Sequence, residues 1–347
     1  MKNIHIHTKT ANLIIYCLLI ISVFFLYGCY TPAAVPSGSP ENIYVKDMVP
    51  EALSIIHAGL SDEDPMIRVN AIEVVSAGQR VKVMSKIRKL LRDNVVPVRF
   101  AAALAIGDME YSLWKDDVEE LLEDNDENVR IAAVYTLKKV GVSNDIEPIR
   151  KAIASNDQTI CANAALLLGK CGGQSDLKLL YWALQHKDSS DKVRFQAVES
   201  IARLGDERIY PKIWTMLLSI YADDRVMGIR AMGALGTQKA REAMVTMLDD
   251  SVLEVRLAAA EQLGALGDMT GEPEVLAVFR KGLLGGSGVD TERGKVWTAL
   301  AIGRIGTPSL ARYLPEMLKD NSKSVRLAAA KAVIQCAGTG KKSERKK

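Results

Sequence analysis

The chain has 347 residues, of which 48% are hydrophobic, 25% charged and 5% aromatic, and its formal net charge is +3. This balance is ordinary for a folded protein and argues against both a disordered chain and a polytopic membrane protein. The near-neutral charge gives no electrostatic basis for nucleic-acid binding, so we set that class of function aside.

Residues 1–28 have the parts of a secretory signal peptide. Lys2 and Lys9 form a basic start, and residues 13–26 form a mainly apolar stretch. A bilayer-spanning helix needs about 20 apolar residues, so this stretch is short for a membrane anchor. A cleaved signal peptide is therefore predicted over residues 1–28.

The run Leu26-Tyr27-Gly28-Cys29 resembles the bacterial lipobox, although Tyr27 is larger than the residue usual at its position. In that motif the cysteine is acylated and becomes the new amino terminus. The resemblance implies lipid attachment at Cys29 and location in the bacterial cell envelope, on the periplasmic face of the inner or outer membrane. An uncleaved signal anchor and secretion without lipid are the alternatives.

Residues 29–48 are predicted to be a tether after the lipid-bearing cysteine. This stretch is rich in proline and small residues, including Pro32, Pro36 and Pro40. Such a composition gives an extended, semi-rigid spacer, which would hold the following domain away from the membrane.

Residues 49–338 contain a tandem repeat, found by aligning the chain with itself. One position, which is basic in eight of the nine repeats and usually follows a β-branched residue, recurs every 31 residues, apart from one interval of 33 and one of 39. We call it the arginine position. The nine positions are Arg68, Arg99, Arg130, Cys161, Arg194, Arg225, Arg256, Lys295 and Arg326. We expect these side chains to fix the stacking of repeats by reaching an aspartate or helix-end carbonyls of an adjacent turn.

Each repeat is predicted to contain two helices joined by a short polar turn. An aspartate six residues before the arginine position ends the first helix in six repeats (Asp62, Asp93, Asp124, Asp188, Asp250 and Asp320). A glycine eleven residues after that position ends the second helix, as a left-handed cap would require. The six capping glycines are Gly141, Gly172, Gly205, Gly236, Gly267 and Gly306.

The second helix of each repeat sorts its residues by face. The first, fourth and seventh residues after the arginine position are apolar, as in Val69, Ile72 and Val75. The third residue is always small, which allows neighbouring helices to approach closely. Its members are Ala71, Ala102, Ala133, Ala164, Ala197, Gly228, Ala259, Thr298 and Ala329. One helix pair cannot bury its apolar face alone, so the pairs must stack.

The pattern LxDxxxxVRxxAxxxLxxLG in residues 248–267 resembles the short HEAT-like repeat named after phycobilisome lyases. Residues 122–141 and 318–338 match most of it, and the resemblance covers residues 49–338. It implies an all-α fold, a right-handed α-solenoid of about nine HEAT-like helix pairs with the second helices on the concave side. The family includes bilin lyase subunits, deoxyhypusine hydroxylase and bacterial scaffolds, so it specifies the fold and says little about function.

The sequence offers little to support catalysis or a cofactor. Only His57 and His186 lie outside the leader, and neither is followed by glutamate, which excludes the His-Glu pairs of the di-iron hydroxylase. No spacing typical of zinc ligands occurs, so no metal and no cofactor are predicted. The three cysteines beyond Cys29 are expected to be small buried residues rather than disulfide partners (Cys161, Cys171 and Cys336).

Two segments lie outside the regular repeat. The glycine-rich stretch 282–294 supplies the extra residues of the longest interval, and it lacks the Gly-Lys-Ser/Thr ending of a phosphate loop. A flexible insertion is the simpler interpretation and a binding element the other. Residues 339–347 form a basic tail, which is predicted to be either a solvated cap or a contact for anionic lipid.

A protein-binding surface is predicted where side chains of the second helices lie outside the core. Apolar and aromatic groups flanked by cations are typical of binding hot spots. The candidate residues are Tyr135, Lys139, Leu166, Lys170, Arg203, Met227, Arg230 and Trp297. The alternative is that these are ordinary exposed helix residues with no binding role.

The sequence therefore favours a lipid-anchored, non-catalytic scaffold that binds another envelope protein through the concave face of the solenoid. An acidic, partly extended segment of that protein would suit the cations, and no small-molecule substrate or nucleic acid is expected. The alternative is a subunit of an enzyme related to the bilin-lyase type of HEAT-repeat protein. The identity of the partner and the oligomeric state stay open.

Overall fold

The computed structural model describes residues 45–78, 84–285 and 288–344. The predicted signal peptide, Cys29 and most of the predicted tether lie outside these residues. Over the described ranges the regular structure is helical and no strand occurs, so the prediction of an all-α fold is confirmed. No described helix is both long enough and apolar enough to cross a membrane.

The second helices of the repeats follow the predicted interval. Each begins three residues before its arginine position, with the exception of the eighth, which begins six residues before Lys295. They are α2 (Pro65–Gly78), α4 (Val96–Asp108), α6 (Glu127–Lys139), α8 (Gln158–Cys171), α10 (Asp191–Arg203), α12 (Ala222–Leu235), α14 (Leu253–Ala265), α16 (Val289–Ile305) and α19 (Lys323–Glu344).

Except in the first repeat, the first helices are shorter than the second helices, and several adjoin 3₁₀ turns such as Ser112–Trp114 and Met247–Asp249. They are α1 (Val45–Gly59), α3 (Met84–Leu90), α5 (Lys115–Glu119), α7 (Glu147–Ala152), α9 (Leu177–Gln185), α11 (Tyr210–Leu217), α13 (Gln238–Thr246), α15 (Glu272–Arg280) and, for the ninth repeat, α17 (Pro308–Ala311) with α18 (Leu314–Met317).

The described residues form two compact units. The amino-terminal unit contains residues 62–213, and within it α2, α4, α6, α8 and α10 pack side by side in that order. The carboxy-terminal unit contains residues 45–61 and 214–344, and within it α12, α14, α16 and α19 pack in the same way.

Helix α1 lies in the carboxy-terminal unit, where it packs along α19 about as extensively as α16 does. Its buried stripe is Met48, Ala52, Ile56 and Gly59, while Lys46 and Glu51 are exposed. The amphipathic helix thus covers the last helix of the array and turns a polar face outward, as a terminal cap of a repeat protein must.

The ends of the folded region extend beyond the predicted boundaries. Helix α1 begins at Val45, inside the predicted tether 29–48, and α19 continues to Glu344, well into the predicted tail 339–347. Apolar periodicity predicts only the buried central part of each helix. It does not detect polar turns that extend a helix into solvent.

The small residue three positions after the arginine position is buried in every repeat. Eight of these nine residues are alanine or threonine with no exposed surface, and the ninth, Gly228, is also buried. A Cβ at Gly228 would lie 2.9 Å from Leu217 Cδ2 and 3.1 Å from Met216 Cβ. The close approach of neighbouring helices therefore limits the size of this residue, as the sequence indicated.

The predicted stacking role of the arginines is confirmed. Four of the basic residues form an ion pair with the aspartate 25 positions later, in the first-to-second helix turn of the next repeat. The pairs are Arg68–Asp93 (2.8 Å), Arg99–Asp124 (2.8 Å), Arg225–Asp250 (2.7 Å) and Lys295–Asp320 (2.7 Å). We call these four pairs the arginine ladder.

The same arginines also fasten their own turn. Arg99 donates from Nη1 to the carbonyl oxygen of Asp93 at 2.8 Å, six residues earlier, and Arg130 donates in the same way to Asp124. The aspartates complete the arrangement, because Asp124 Oδ1 accepts a hydrogen bond from the backbone N–H of Asp126 at 2.9 Å. Each pair of the ladder therefore joins two turns whose backbone is already ordered.

Five of the six predicted capping glycines adopt the left-handed conformation, with φ between 64° and 80° (Gly141, Gly205, Gly236, Gly267 and Gly306). The prediction is wrong for Gly172, whose φ is −76°. A Cβ at Gly172 would lie 2.5 Å from the carbonyl oxygen of Leu168 and 2.9 Å from Asp176 Oδ2. Glycine is needed there for space rather than for a left-handed backbone.

Candidate protein-binding surface

The candidate residues of the amino-terminal unit lie on three neighbouring second helices. Tyr135 and Lys139 are on α6, Leu166 and Lys170 on α8, and Arg203 is the last residue of α10. Leu166, Lys139 and Lys170 are half-buried and Arg203 is exposed. Four of the five therefore present some surface to solvent.

Tyr135 is not a surface residue, and its prediction as one is wrong. Its side chain is 1% exposed, and its hydroxyl donates to Asp108 Oδ1 at 2.5 Å. Gly107, on the preceding second helix, makes room for the ring, because a Cβ there would come within 2.7 Å of Tyr135 Cε1. Tyr135 is therefore buried because Gly107 on the neighbouring helix has no side chain.

Asp108 joins three repeats. Besides the hydroxyl of Tyr135, it accepts Lys170 Nζ at 2.8 Å, although Lys170 lies two repeats further along the chain. Burial, together with the adjacent Asp108 carboxylate, raises the pKa of Tyr135 well above its usual range. The phenol consequently stays protonated and remains a hydrogen-bond donor.

The other cations of this surface are paired as well. Lys139 Nζ lies 2.7 Å from Glu110 Oε1, and Arg203 Nη2 lies 2.5 Å from Glu199 Oε1. The surface is thus a mixture of both charges rather than the cationic edge that the sequence suggested. Its polar groups are held in fixed positions by these ion pairs.

The candidates of the carboxy-terminal unit are Met227 and Arg230 on α12 and Trp297 on α16. All three are half-buried, so each offers part of its side chain to solvent. A further pair on this unit, Arg304 Nε and Glu261 Oε1 at 3.2 Å, repeats the combination of a cation with a nearly buried carboxylate.

The most exposed apolar group was not among the predicted residues. The turn between α11 and α12 has the sequence Leu218-Ser219-Ile220-Tyr221, and its three large side chains are 64%, 86% and 67% exposed. In most other repeats this turn is dominated by Asp, Asn, Ser and Glu. Comparing the nine turns with one another would have identified it from the sequence.

Open grooves occur along the first helices of the amino-terminal unit. One, of about 430 Å³, is lined by Arg88, Arg92, Trp114, Asp117 and Glu120. Both arginines are already paired, since Asp117 lies 2.8 Å from Arg88 Nε and Glu120 lies 2.7 Å from Arg92 Nη2. Asp116 adds a third carboxylate to the lining, so this groove has no excess of positive charge with which to attract an anion.

Metal and thiol chemistry find no support in the described part of the chain. No group of three or more His, Cys, Asp or Glu side chains there could hold a metal ion. Cys161, Cys171 and Cys336 are free thiols, and burial raises the pKa of each to about 11. Cys161 and Cys336 are buried and Cys171 is half-buried, so these residues behave as the small core residues that the sequence indicated.

The family model described as HEAT repeats matches residues 84–165 and 217–296. No curated protein matches the sequence significantly. Among solved structures, human deoxyhypusine hydroxylase is 16% identical with a TM-score of 0.31, over 85% of this chain and 99% of that one. The CpcE–CpcF complex of phycocyanin lyase from Nostoc is 17% identical with a TM-score of 0.31, over 87% and 100%. YibA of Escherichia coli is 17% identical with a TM-score of 0.35, over 75% and 95%.

The helix pairs, their interval and the family match together define the class of this protein. It is an all-α HEAT-repeat solenoid. Likenesses at this level of identity carry no assignment of activity, so function has to be argued from the side chains of this chain.

Proposed function

We propose that this protein is a lipid-anchored, non-catalytic scaffold of the bacterial cell envelope, which binds another protein through its second helices. One observation carries the binding role. Side chains from three neighbouring second helices form a surface of mixed charge, and the ion pairs of Lys139, Lys170 and Arg203 fix its polar groups in place. A preorganised surface loses little side-chain entropy on binding, which favours recognition of a folded or extended protein partner.

The lipid anchor is supported by the lipobox-like run before Cys29. Incorporation of radiolabelled palmitate into the full chain should be seen and should disappear in Cys29→Ala. Unchanged labelling of this variant would rule out Cys29 as the attachment site, and labelling of neither chain would remove the anchor from the proposal.

The binding surface can be tested by site-specific photo-crosslinking in native envelopes. A photoreactive residue at Lys139 or Arg203 should capture the same protein, since both positions lie on the proposed surface. Lys178, an exposed residue of the first helix α9, is the matched control and should not capture it. Capture from Lys178 alone would place binding on the first helices and contradict the proposal.

A charge reversal separates contact from mere proximity. Arg203→Glu places a second carboxylate beside Glu199, so it should remove the capture from position 139 while leaving the helical content of the protein unchanged. The exposed control Lys178→Glu should leave that capture intact. Retained capture in Arg203→Glu would show that the charge pattern of this surface plays no part in recognition.

A further inference from the structure

The turn between α11 and α12 presents an apolar tip that the proposed binding surface does not use. Leu218, Ile220 and Tyr221 are all more than half exposed within four consecutive residues, and Trp214 on α11 is also among the exposed large residues. Three large apolar side chains are thus exposed at one turn. A soft apolar medium accommodates such side chains without needing a complementary pocket.

The backbone of this turn is held by its own side chains. Arg225 Nη1 donates to the carbonyl oxygens of Ser219 at 2.9 Å and Ile220 at 3.3 Å, and the same arginine pairs with Asp250. Ser219 Oγ accepts the backbone N–H of Tyr221 at 3.2 Å. Polar backbone groups are costly to place in hydrocarbon unless they are satisfied internally, and here several of them are.

The length of chain between Cys29 and α1 limits how far the carboxy-terminal unit can lie from the membrane. Residues 45–61 belong to the same compact unit as the turn, and only the short stretch 30–44 lies between Cys29 and Val45. A fully extended chain spans at most about 3.6 Å per residue, so the amino terminus of α1 stays within about 55–60 Å of a lipid on Cys29. This step rests on the lipid anchor of the proposed function.

We propose that Leu218, Ile220 and Tyr221 insert into the interfacial layer of the membrane that carries the anchor. Aliphatic side chains accompanied by Tyr and Trp are the combination found at membrane–water interfaces. The acidic residues that follow the turn are engaged within the protein, because Asp223 pairs with Arg293 and Asp224 accepts Ser219 Oγ. The contact is therefore apolar, and it needs no anionic lipid.

A second contact beside the lipid would fix the orientation of the carboxy-terminal unit on the membrane. A lipid on Cys29 alone does not select one orientation of this unit, whereas an inserted turn does. The inference thus adds to the scaffold role a defined presentation of that unit to its partner.

The test uses the full acylated chain in vesicles of phosphatidylcholine, with an environment-sensitive nitrobenzoxadiazole label on Ile220→Cys. The matched control is the same label on Met269→Cys, another exposed apolar position of the carboxy-terminal unit. The label at position 220 should shift its emission to the blue and be quenched by lipids carrying a shallow nitroxide. The label at position 269 should remain in water.

A companion variant tests whether neighbouring side chains act together. Leu218→Ser with Tyr221→Ser removes two of the three apolar groups, so the blue shift at position 220 should largely disappear. Adding phosphatidylglycerol to the vesicles should change little, because the tip carries no cation.

The outcomes separate this inference from the lipid anchor. Chains that float with the vesicles while the label at position 220 stays in water would overturn the insertion and leave the anchor intact. Chains that do not float at all would remove the anchor, and the inference with it. A blue shift seen only in envelopes containing their proteins would assign the tip to a protein contact and overturn the membrane contact.

Discussion

The repeats differ in how polar contacts link each one to the next. The early repeats carry the ladder pairs Arg68–Asp93 and Arg99–Asp124, and the later ones carry Arg225–Asp250 and Lys295–Asp320. The third, fifth and seventh repeats lack the aspartate that such a pair needs, because Ser155, Ser219 and Lys281 lie 25 residues after their arginines. The fourth repeat lacks the arginine itself, because Cys161 takes its place.

Other polar contacts link the middle repeats. A buried hydrogen bond joins Asn163 Nδ2 to Asn128 Oδ1 at 2.8 Å, between the third and fourth repeats. Between the fourth and fifth repeats, Arg150 Nε on the first helix α7 lies 2.7 Å from Asp176 Oδ1, which directly precedes the first helix α9. Where a ladder pair is missing, another polar contact therefore joins the neighbouring repeats and can fix their register.

Packing at the small position is shared by both regions, in contrast to the ladder. Ala133 and Ala164 are fully buried, as is Ala259 in the carboxy-terminal unit. The comparison indicates that apolar stacking supplies most of the stability and that ion pairs fix the register. Substitutions at the small position should accordingly have large effects everywhere, and those at ladder positions should have larger effects where a pair exists than where it does not.

The largest expected effect is that of a carboxylate at the small position. Ala133→Asp buries an unpaired charge where a neighbouring helix approaches closely, which should cost more than about 4 kcal/mol locally. Hydrogen exchange of the amides in α4, α6 and α8 measures this cost. Ala154→Asp, at an exposed alanine in a turn, should stay near wild type. Similar exchange in the two variants would show that the small position does not limit stability.

Removal of a ladder aspartate comes next. Asp124→Ala leaves Arg99, which is mostly buried, without its carboxylate and should lower the free energy of unfolding by about 2 kcal/mol. Asp188 lies six residues before the arginine of the fifth repeat, as Asp124 does in the third. The repeat before it has Cys161 in place of an arginine, and Asp188 is exposed. Asp188→Ala should therefore change the urea midpoint little. Equal losses in the two variants would show that these aspartates act through their own turns and not through the ladder.

Much of this arrangement could be predicted from the sequence. The arginine and glycine intervals gave the helix pairs, and an aspartate at a fixed offset after an arginine marks each ladder pair. The partner of α1 could not be predicted, because the stripe Met48, Ala52 and Ile56 shows that a face is buried without showing what covers it. Periodicity in fact assigned α1 to the first pair, whereas it packs on α19.

The candidate surface was harder to predict for a local reason. Helical offsets place Tyr135 at the border between core and solvent, and its burial depends on Gly107 of another helix. The predicted cations reach the surface, but their carboxylate partners could not be predicted from helical offsets. Lys170 pairs with Asp108, which lies two repeats earlier in the chain. Glu110, which pairs with Lys139, is a turn residue with a φ of 50°. Such contacts depend on how helices are spaced in three dimensions, which offsets within one helix do not encode.

The contribution of the ladder to the free energy of unfolding should decrease at acid pH, where its aspartates become protonated. Burial alone would raise the pKa of Asp124, but the hydrogen bonds from Arg99 and the backbone, with the nearby positive charges, outweigh it and lower the pKa. A carboxyl with a lowered pKa stabilises the fold above its unfolded pKa of about 3.9, and this contribution is lost as pH falls through the lower folded value. The urea midpoint of Asp124→Asn should therefore fall less steeply than that of wild type below about pH 4. Asp188→Asn should follow the wild-type curve, and a parallel curve for Asp124→Asn would contradict the assignment.

The smallest expected effect would extend the ladder into the middle repeats. Ser155 has the same offset from Arg130 as Asp124 has from Arg99, and its hydroxyl accepts the backbone N–H of Asp157 at 3.2 Å, as Asp124 Oδ1 does for Asp126. Ser155→Asp keeps that acceptor and adds a carboxylate for Arg130, which already donates to the carbonyl oxygen of Asp124. We expect a gain of about 0.2–1 kcal/mol, the usual range for an exposed ion pair.

A double-mutant cycle with Arg130→Ala decides whether that gain comes from the new pair. The gain from Ser155→Asp should vanish when Arg130 is absent, and Ser155→Ala should be slightly less stable than wild type because the turn loses an acceptor. If the gain persists without Arg130, the aspartate acts only on its own turn. The fixed offset between arginine and aspartate would then mark a capping preference common to all the repeats, and the middle repeats would not differ from the others in the way that the ladder suggests.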